Sequence, residues 1–137
     1  MKILITGATG LIGSQIVEDC LKRNIKINFL TTSKRKINSL FNCKGFYWNP
    51  EKNIIDLSCF EGVSVIINLS GASIFRLWTK NNKRLILNSR VNSLRFLKDT
   101  LIKNKIEIDS IVSASGIGAY PSSYENEYDE NETGRSK

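Results

Sequence analysis

Short apolar runs alternate along this chain with longer stretches of helical periodicity. Five segments rich in β-branched and aromatic residues are predicted as strands: 2–6, 26–32, 45–48, 63–69 and 108–113. Segments 11–23 and 79–103 repeat apolar residues at helical spacing, and a short helix is predicted from Ser33 through Leu40. Strands that alternate with helices predict an α/β fold, a doubly wound parallel sheet with strand order 3-2-1-4-5.

The composition is that of one globular domain, with 41% hydrophobic and 24% charged residues. No apolar run approaches the ~18 residues of a membrane span, and the first residues lack the pattern of a signal peptide. Three cysteines without CxxC spacing and the absence of histidine argue against a disulfide scaffold and a zinc site. The absence of histidine also excludes Ser–His and Cys–His catalysis within this chain. We therefore expect a cytoplasmic protein with no bound metal and no membrane partner.

The net charge of +7 follows from 20 basic and 13 acidic residues. The basic residues are spread along the chain, which is typical of a solvated lysine-rich surface, so we expect no nucleic-acid partner. An anionic small ligand such as a phosphorylated cofactor could use part of this charge. From Tyr120 onward the chain is polar and acidic. Residues 1–120 are therefore predicted as the folded domain, and 121–137 as a polar acidic tail or loop.

Three glycines, Gly7, Gly10 and Gly13, separate the first predicted strand from the first helix. In a Rossmann domain such glycines permit a tight turn, a close approach of the backbone to a pyrophosphate, and close helix–strand packing. The free N–H groups and the dipole at the start of the helix supply the anion site. The alternative is a purely structural strand–turn–helix junction. The candidate cofactor ligands of this loop are Gly7, Thr9, Gly10, Leu11, Ile12 and Gly13.

The residues after the second strand bear on the choice between NAD and NADP. An Asp or Glu about 20 residues past the glycine loop usually holds the ribose 2′-hydroxyl of NAD. This chain has only hydroxyl and cationic residues there, Thr31 to Lys36. Because these suit a 2′-phosphate, NADP is favoured over NAD, with Thr32, Ser33 and Lys34 as candidate ligands. The alternative is that Lys34 to Lys36 form the solvated start of a helix.

Four motifs together resemble one protein family. Residues 7–13, Gly-Ala-Thr-Gly-Leu-Ile-Gly, resemble the glycine motif of the extended short-chain dehydrogenase/reductases, the NAD(P)-dependent epimerase/dehydratase proteins. Residues 68–71, 78–91 and 113–120 resemble the Asn-Leu-Ala-Gly, Trp-Thr…Ser-Arg-Val and Ser-Ala-Ser-Ala-Ile-Gly motifs of an atypical subgroup that is similar to nucleoside-diphosphate-sugar epimerases. The resemblance implies NADP, or alternatively NAD, as cofactor, and an unidentified small molecule as substrate. It also implies cofactor contacts from Leu69, Ser70, Gly71 and Ala72, with Arg76 either meeting a phosphate or lying exposed.

The resemblance implies an oxidoreductase or sugar-nucleotide epimerase that works by hydride transfer. Enzymes of this superfamily typically pair a Tyr with a Lys four residues later, on one helix face. None of the four tyrosines of this chain is followed by such a Lys. Ser115 is the candidate for the superfamily's hydrogen bond to the reacting carbonyl, or else a polar strand end. Tyr120 is a second candidate, or else a residue that lines the pocket.

Family members run to roughly twice this length, so the resemblance implies that this chain corresponds to their N-terminal half. It also implies that residues 1–120 are an NAD(P)-binding Rossmann domain and that 121–137 lead toward a missing C-terminal part. The alternative function is a catalytically inactive remnant that only binds the dinucleotide. A parallel sheet is normally covered on both faces. Because no helix is predicted after the fifth strand, we expect part of one face to be bare, and homodimerisation is one way to cover it.

Overall fold

A computed structural model describes residues 1–75, 77–114, 125 and 128. The strands are β1 (Lys2–Thr6), β2 (Lys26–Thr31), β3 (Cys43–Asn49), β4 (Ile54–Ile55), β5 (Val65–Asn68) and β6 (Ser110–Ser113). The helices are α1 (Leu11–Lys22) and α2 (Lys80–Lys103), with 3-10 turns at Lys34–Lys36, Pro50–Lys52 and Leu57–Phe60. Apart from Glu125 and Tyr128, the segment 121–137 lies outside the described residues. The proposed domain division at residue 120 therefore stays a prediction.

The six strands form one sheet in the order β4-β3-β2-β1-β5-β6. All neighbouring strands are parallel except β3 and β4, whose pairing is antiparallel. The fourth and fifth predicted strands are β5 and β6, because β4 was not predicted. The parallel strands β3-β2-β1-β5-β6 therefore have the predicted order 3-2-1-4-5, which confirms the α/β class. The sequence analysis missed β4, because a two-residue strand is too short to show a hydrophobic period. It follows a left-handed residue, Asn53, at φ 52°.

Each helix covers a different part of the sheet. On one face Val17 of α1 packs against Ile3, Ile5, Ile27 and Phe29. On the other, α2 contributes Leu97 and Leu101 to a core that is completed by the sheet residues Leu4, Leu30, Phe46, Trp48 and Ile66. The two cores hold β1 and β2 between them, so the carboxyl ends of these central strands are firmly placed.

The apolar face predicted for α2 is buried only in its C-terminal half. Leu97 and Leu101 are buried, whereas Leu87, Val91 and Leu94 are exposed. The helical spacing of apolar residues therefore predicts α2 correctly. It does not predict which part of α2 packs against the sheet. The helix starts where the sequence predicts, because the Thr79 hydroxyl caps it by accepting a hydrogen bond from Asn82 N at 3.2 Å.

The prediction of a helix from Ser33 through Leu40 is wrong. Only a 3-10 turn forms at Lys34–Lys36, and the Ser33 side chain makes no capping hydrogen bond. Three consecutive cations at the positive end of a helix dipole disfavour a longer helix. The strand boundaries also shift: β2 ends at Thr31, β3 is longer at both ends than predicted, and β5 and β6 are shorter.

The face of the sheet on which α1 packs is incompletely covered at β5 and β6. Ile66, on the α2 side, is fully buried, whereas Val65 and Ile67 on the opposite side are only partly buried. Val112 of β6, which pairs with Ile67, is 55% exposed.

Within the described ranges, no helix combines the length and apolarity that crossing a membrane requires.

Candidate functional site

The glycine loop is built so tightly that two of its glycines cannot be replaced without backbone movement. Gly7 adopts a left-handed φ of 74°, and its carbonyl accepts a hydrogen bond from Gly10 N at 2.9 Å. A Cβ on Gly13 would lie 2.2 Å from Gly7 O and 2.8 Å from Ala8 Cα. The first turn of α1 therefore packs directly on the end of β1, as expected for a glycine of this kind.

Within the described part of the chain, no side chain caps the N-terminus of α1. Gly10 stands at the N-cap without a side-chain hydrogen bond, and the first turn contains no acidic residue. The N–H groups of this turn need an acceptor, and the helix dipole makes an anion the favoured one. The loop and helix together form an anion-binding element at the carboxyl end of the central strand.

A network of polar side chains ties the ends of β1, β5 and β6 together beneath this loop. The buried Thr6 hydroxyl donates to Asn68 Oδ1 at 2.7 Å and accepts from Leu69 N and Ser70 N at 3.1 and 3.0 Å. Asn68 Nδ2 donates to Ser113 Oγ at 3.2 Å. A hydroxyl has one donor and two acceptor positions, so Thr6 is saturated. The floor of the site is thus a rigid polar layer.

A cleft of about 1180 Å³ opens above this layer. Its walls are the glycine loop, the end of β2, the turn after β3, the segment after β5 and one side of α2. Its size suits a large elongated ligand. Among the described residues its charged lining is formed by Lys36, Arg84 and Glu51.

Nine of the fourteen predicted cofactor ligands line the cleft: Gly7, Thr9, Gly10, Thr32, Ser33, Leu69, Ser70, Gly71 and Ala72. Gly13 is buried behind the loop, while Leu11 and Ile12 are 92% and 64% exposed and lie outside the lining. Arg76 lies outside the described residues, as do Ser115 and Tyr120. The roles assigned to all of these residues stay predictions.

At the end of β2 the two lysines Lys34 and Lys36 differ in position, and the predicted cofactor contact of Lys34 stays a prediction. The ammonium of Lys34 lies 5.3 Å from the ring centroid of Tyr47 on β3, and Lys34 does not line the cleft. Lys36, two residues further on, does. Ser33 N donates to Thr31 Oγ1 at 3.2 Å, which fixes the turn that presents these residues.

The sequence analysis missed the contribution of α2 and of the turn after β3. Polar residues at helical spacing on α2 line the cleft: Asn81, Arg84, Asn88, Ser89, Asn92 and Ser93. Trp48, Asn49, Pro50 and Glu51 form the wall next to the end of β2. The signal on α2 was a polar stripe with a period of three to four residues, which is usually attributed to a solvated face.

The cysteines lie away from the cleft lining. Burial raises the pKa of the thiols of Cys20 and Cys43, and it raises that of Cys59 to about 12. A thiol with a raised pKa holds little thiolate at neutral pH and is a poor nucleophile. Among the described residues, no cluster of His, Cys, Asp or Glu could hold a metal ion.

The parallel sheet, glycine loop and cleft define a Rossmann-type α/β domain. The chain belongs to the NAD dependent epimerase/dehydratase family, whose model matches residues 3–136. This confirms the resemblance drawn from the sequence motifs.

Curated relatives and solved structures agree with this placement. An epimerase family protein of Staphylococcus haemolyticus is 33% identical over 129 residues, which cover 94% of this chain and 42% of the relative. The chloroplastic SDR39U1 homologue of Arabidopsis thaliana is 32% identical over 137 residues, 96% of this chain and 39% of that protein. The chain thus spans about two fifths of the length of these relatives.

Two solved structures show the same fold. Human epimerase family protein SDR39U1 (isoform 2), crystallised with NADPH, superimposes with a TM-score of 0.77 at 21% identity, covering 98% of this chain and 43% of the human one. The UDP-glucose 4-epimerase of Thermus thermophilus, in complex with NAD, gives a TM-score of 0.72 at 21% identity, covering 98% and 44%.

Proposed function

We propose that this chain binds a nicotinamide dinucleotide in the cleft above β1, with the pyrophosphate at the N-terminus of α1. The observation that carries this proposal is the uncapped first turn of α1, which the close packing of Gly13 on Gly7 holds against the end of β1. Family membership and the NADPH and NAD bound by two structural neighbours support the same ligand class.

The preferred dinucleotide in this proposal is NADPH. Residues 31–36 at the end of β2 include no Asp or Glu, the residue type that usually holds a free 2′-hydroxyl. The carboxylate in the cleft wall next to them belongs to Glu51, in the turn after β3, and it is opposed by the cations Lys36 and Arg84 of the same lining. Thr32, Ser33 and Lys36 border the cleft at this point. Lys36 therefore takes the role that the sequence analysis gave to Lys34.

The reaction class we propose is hydride transfer to and from the nicotinamide, in an oxidoreductase or a sugar-nucleotide epimerase. When bound, the dinucleotide supplies the hydride chemistry, and the residues of this chain hold and orient it. The sequence has no Tyr followed by Lys four positions later. A protein of the relatives' length would supply its proton-transfer group and most of its substrate pocket from other residues.

A thermal melt of the 137-residue chain with and without dinucleotide tests the binding proposal. A ligand that binds only the folded state, at ~100 times its Kd, adds about 2.7 kcal/mol of stability. We expect NADPH to raise the melting temperature more than NADH at equal concentration. A cooperative melt that neither dinucleotide shifts would contradict the proposal.

Paired lysine variants test the preference for NADPH. Lys36→Ala should weaken NADPH binding about tenfold and leave NADH binding nearly unchanged. A charge-assisted hydrogen bond contributes about 1.5–3 kcal/mol, and the exposed Lys36 site lies at the low end of that range. Lys34→Ala is the matched control, because its ammonium packs on Tyr47. Equal losses for NADPH and NADH in Lys36→Ala would contradict the assigned role.

A further inference from the structure

The segment that follows β5 forms one wall of the cleft, and its first end is fixed from the glycine-loop side. Leu69 N and Ser70 N both donate to the Thr6 hydroxyl. A Cβ on Gly7 would lie 3.0 Å from the carbonyl carbon and oxygen of Leu69, so the glycine loop rests on the backbone of this segment. A shift of this segment would therefore displace the glycine loop as well.

The second end of the segment is fixed by two consecutive side chains of α2. Ala72 N donates to Ser89 Oγ at 2.8 Å, and Ala72 O accepts from Arg90 Nη1 at 3.2 Å. Both side chains are anchored on their own helix, because Ser89 Oγ and Arg90 Nη1 donate to Ile86 O at 2.8 and 3.0 Å. Ser89 uses its hydroxyl both as donor and as acceptor, a combination that alanine cannot replace.

Gly71 leaves the space that this arrangement needs. A Cβ at position 71 would lie 2.9 Å from Arg90 Cζ and 3.0 Å from its Nη1. Any larger residue would push the guanidinium away from Ala72. The three atoms that a Cβ would meet, Cζ, Nη1 and Cγ at 3.1 Å, all belong to the Arg90 side chain and none to the backbone, so the fold itself can tolerate the substitution.

We propose that Ser89 and Arg90 are positioning residues, which clamp Ala72 and so set the segment 69–72 against the glycine loop in the conformation that accepts the dinucleotide. They act through the backbone of this segment: although Ser89 also borders the cleft, its hydroxyl already accepts from Ala72 N and donates to Ile86 O. The inference rests on the proposed function, since it assigns these side chains a part in dinucleotide binding. A merely stabilising role would lower the melting temperature without a separate effect on affinity.

The test measures three properties of each variant: the Kd for NADPH, the melting temperature, and the hydrogen-exchange rate of the Ala72 amide. Ser89→Ala and Arg90→Ala should each weaken NADPH binding about three- to tenfold, the usual worth of one hydrogen bond, under conditions where every variant is fully folded. Ser89→Ala should also accelerate exchange at Ala72. Ser89→Thr keeps the hydroxyl, so it should have nearly the original NADPH affinity and the original exchange rate at Ala72. Arg95→Ala, which removes an exposed arginine of the same helix, is the control and should change neither.

A double-mutant cycle separates the clamp from general damage. Gly71→Ala should weaken NADPH binding in the original chain but add almost nothing when Arg90 is already alanine, because both changes remove the same contact. Additive losses would overturn the inference, as would unchanged affinity in variants whose Ala72 exchange is faster. If the original chain binds neither NADPH nor NADH, the proposed function fails, and with it the role in binding. Ala72 exchange in Ser89→Ala then shows separately whether the clamp itself exists.

Discussion

Gly10 and Gly13 lie three residues apart, and they differ in how much space a side chain would find. Gly13→Ala would place a Cβ 2.2 Å from the backbone oxygen of Gly7, so the backbone itself would have to shift. We expect the free energy of unfolding to fall by at least about 2 kcal/mol, since overpacking outweighs the better helix propensity of alanine. Chemical denaturation measures this loss.

Gly10→Ala is the matched comparison. Its Cβ would lie 3.2 Å from Gly7 O, a tight but tolerable contact, so the loss of stability should stay below about 1 kcal/mol. Because the methyl group would project from the first turn of α1 where the pyrophosphate is proposed to bind, NADPH affinity should fall more than stability does. Equal effects of the two substitutions on stability would contradict this division of roles.

Cys59 is the least reactive thiol of the described chain by both geometry and acidity. Its side chain is fully buried, and burial raises its pKa to about 12. At pH 8 we expect iodoacetamide to label the partly buried Cys20 and Cys43 first, and Cys59 only after unfolding. Peptide mapping of the labelled chain measures this order. Native labelling of Cys59 at the rate of Cys20 would show that the core around it opens.

At the scale of elements, a single carboxylate caps the 3-10 turn Leu57–Phe60. Asp56 accepts hydrogen bonds from the hydroxyl and the backbone N–H of Ser58, and these lower its pKa from the usual value. A lowered pKa stabilises the fold at pH values above the ordinary pKa of about 3.9, and this contribution is lost as pH falls through the folded-state pKa.

Asp56→Asn should therefore be slightly less stable than the original chain at pH 7, by less than about 1 kcal/mol because the site is exposed. The difference should vanish as pH falls below about 3.9 toward the lowered pKa. Urea midpoints for both chains across this range measure the effect. A difference that is the same at pH 7 and pH 3 would show that the charge of Asp56 has no part in it.

Local patterns predicted the elements whose causes are local. The start of α2 at Thr79 and the strand–glycine–helix unit from Lys2 onward needed only neighbouring residues to be identified. The partial burial of α2 depends instead on where the helix crosses the sheet, which its periodicity does not contain. Which of the two lysines borders the cleft likewise depends on a 3-10 turn, which leaves the Lys34 ammonium over the Tyr47 ring and Lys36 at the cleft.

The molecule as a whole exposes apolar surface on the outer part of its sheet. Because Val112 is 55% exposed beside the half-buried Ile67, we expect the isolated chain to self-associate at micromolar concentration. Val112→Lys should shift sedimentation toward the monomer. Ile102→Lys, at a position 65% exposed in the last turn of α2, is the control. A monomer at every concentration would contradict the expectation.

The two tryptophans of this chain occupy opposite environments, which gives the cleft its own optical reporter. Trp48 is 2% exposed, stacks on Phe96 at 6.5 Å and borders the cleft, whereas Trp78 is 70% exposed. A reduced nicotinamide absorbs where indole emits, so energy transfer from Trp48 would make occupancy of the cleft visible as lost tryptophan emission and sensitised cofactor emission. With Trp78→Phe, the remaining tryptophan fluorescence of the chain would come from Trp48 in the wall of the cleft alone.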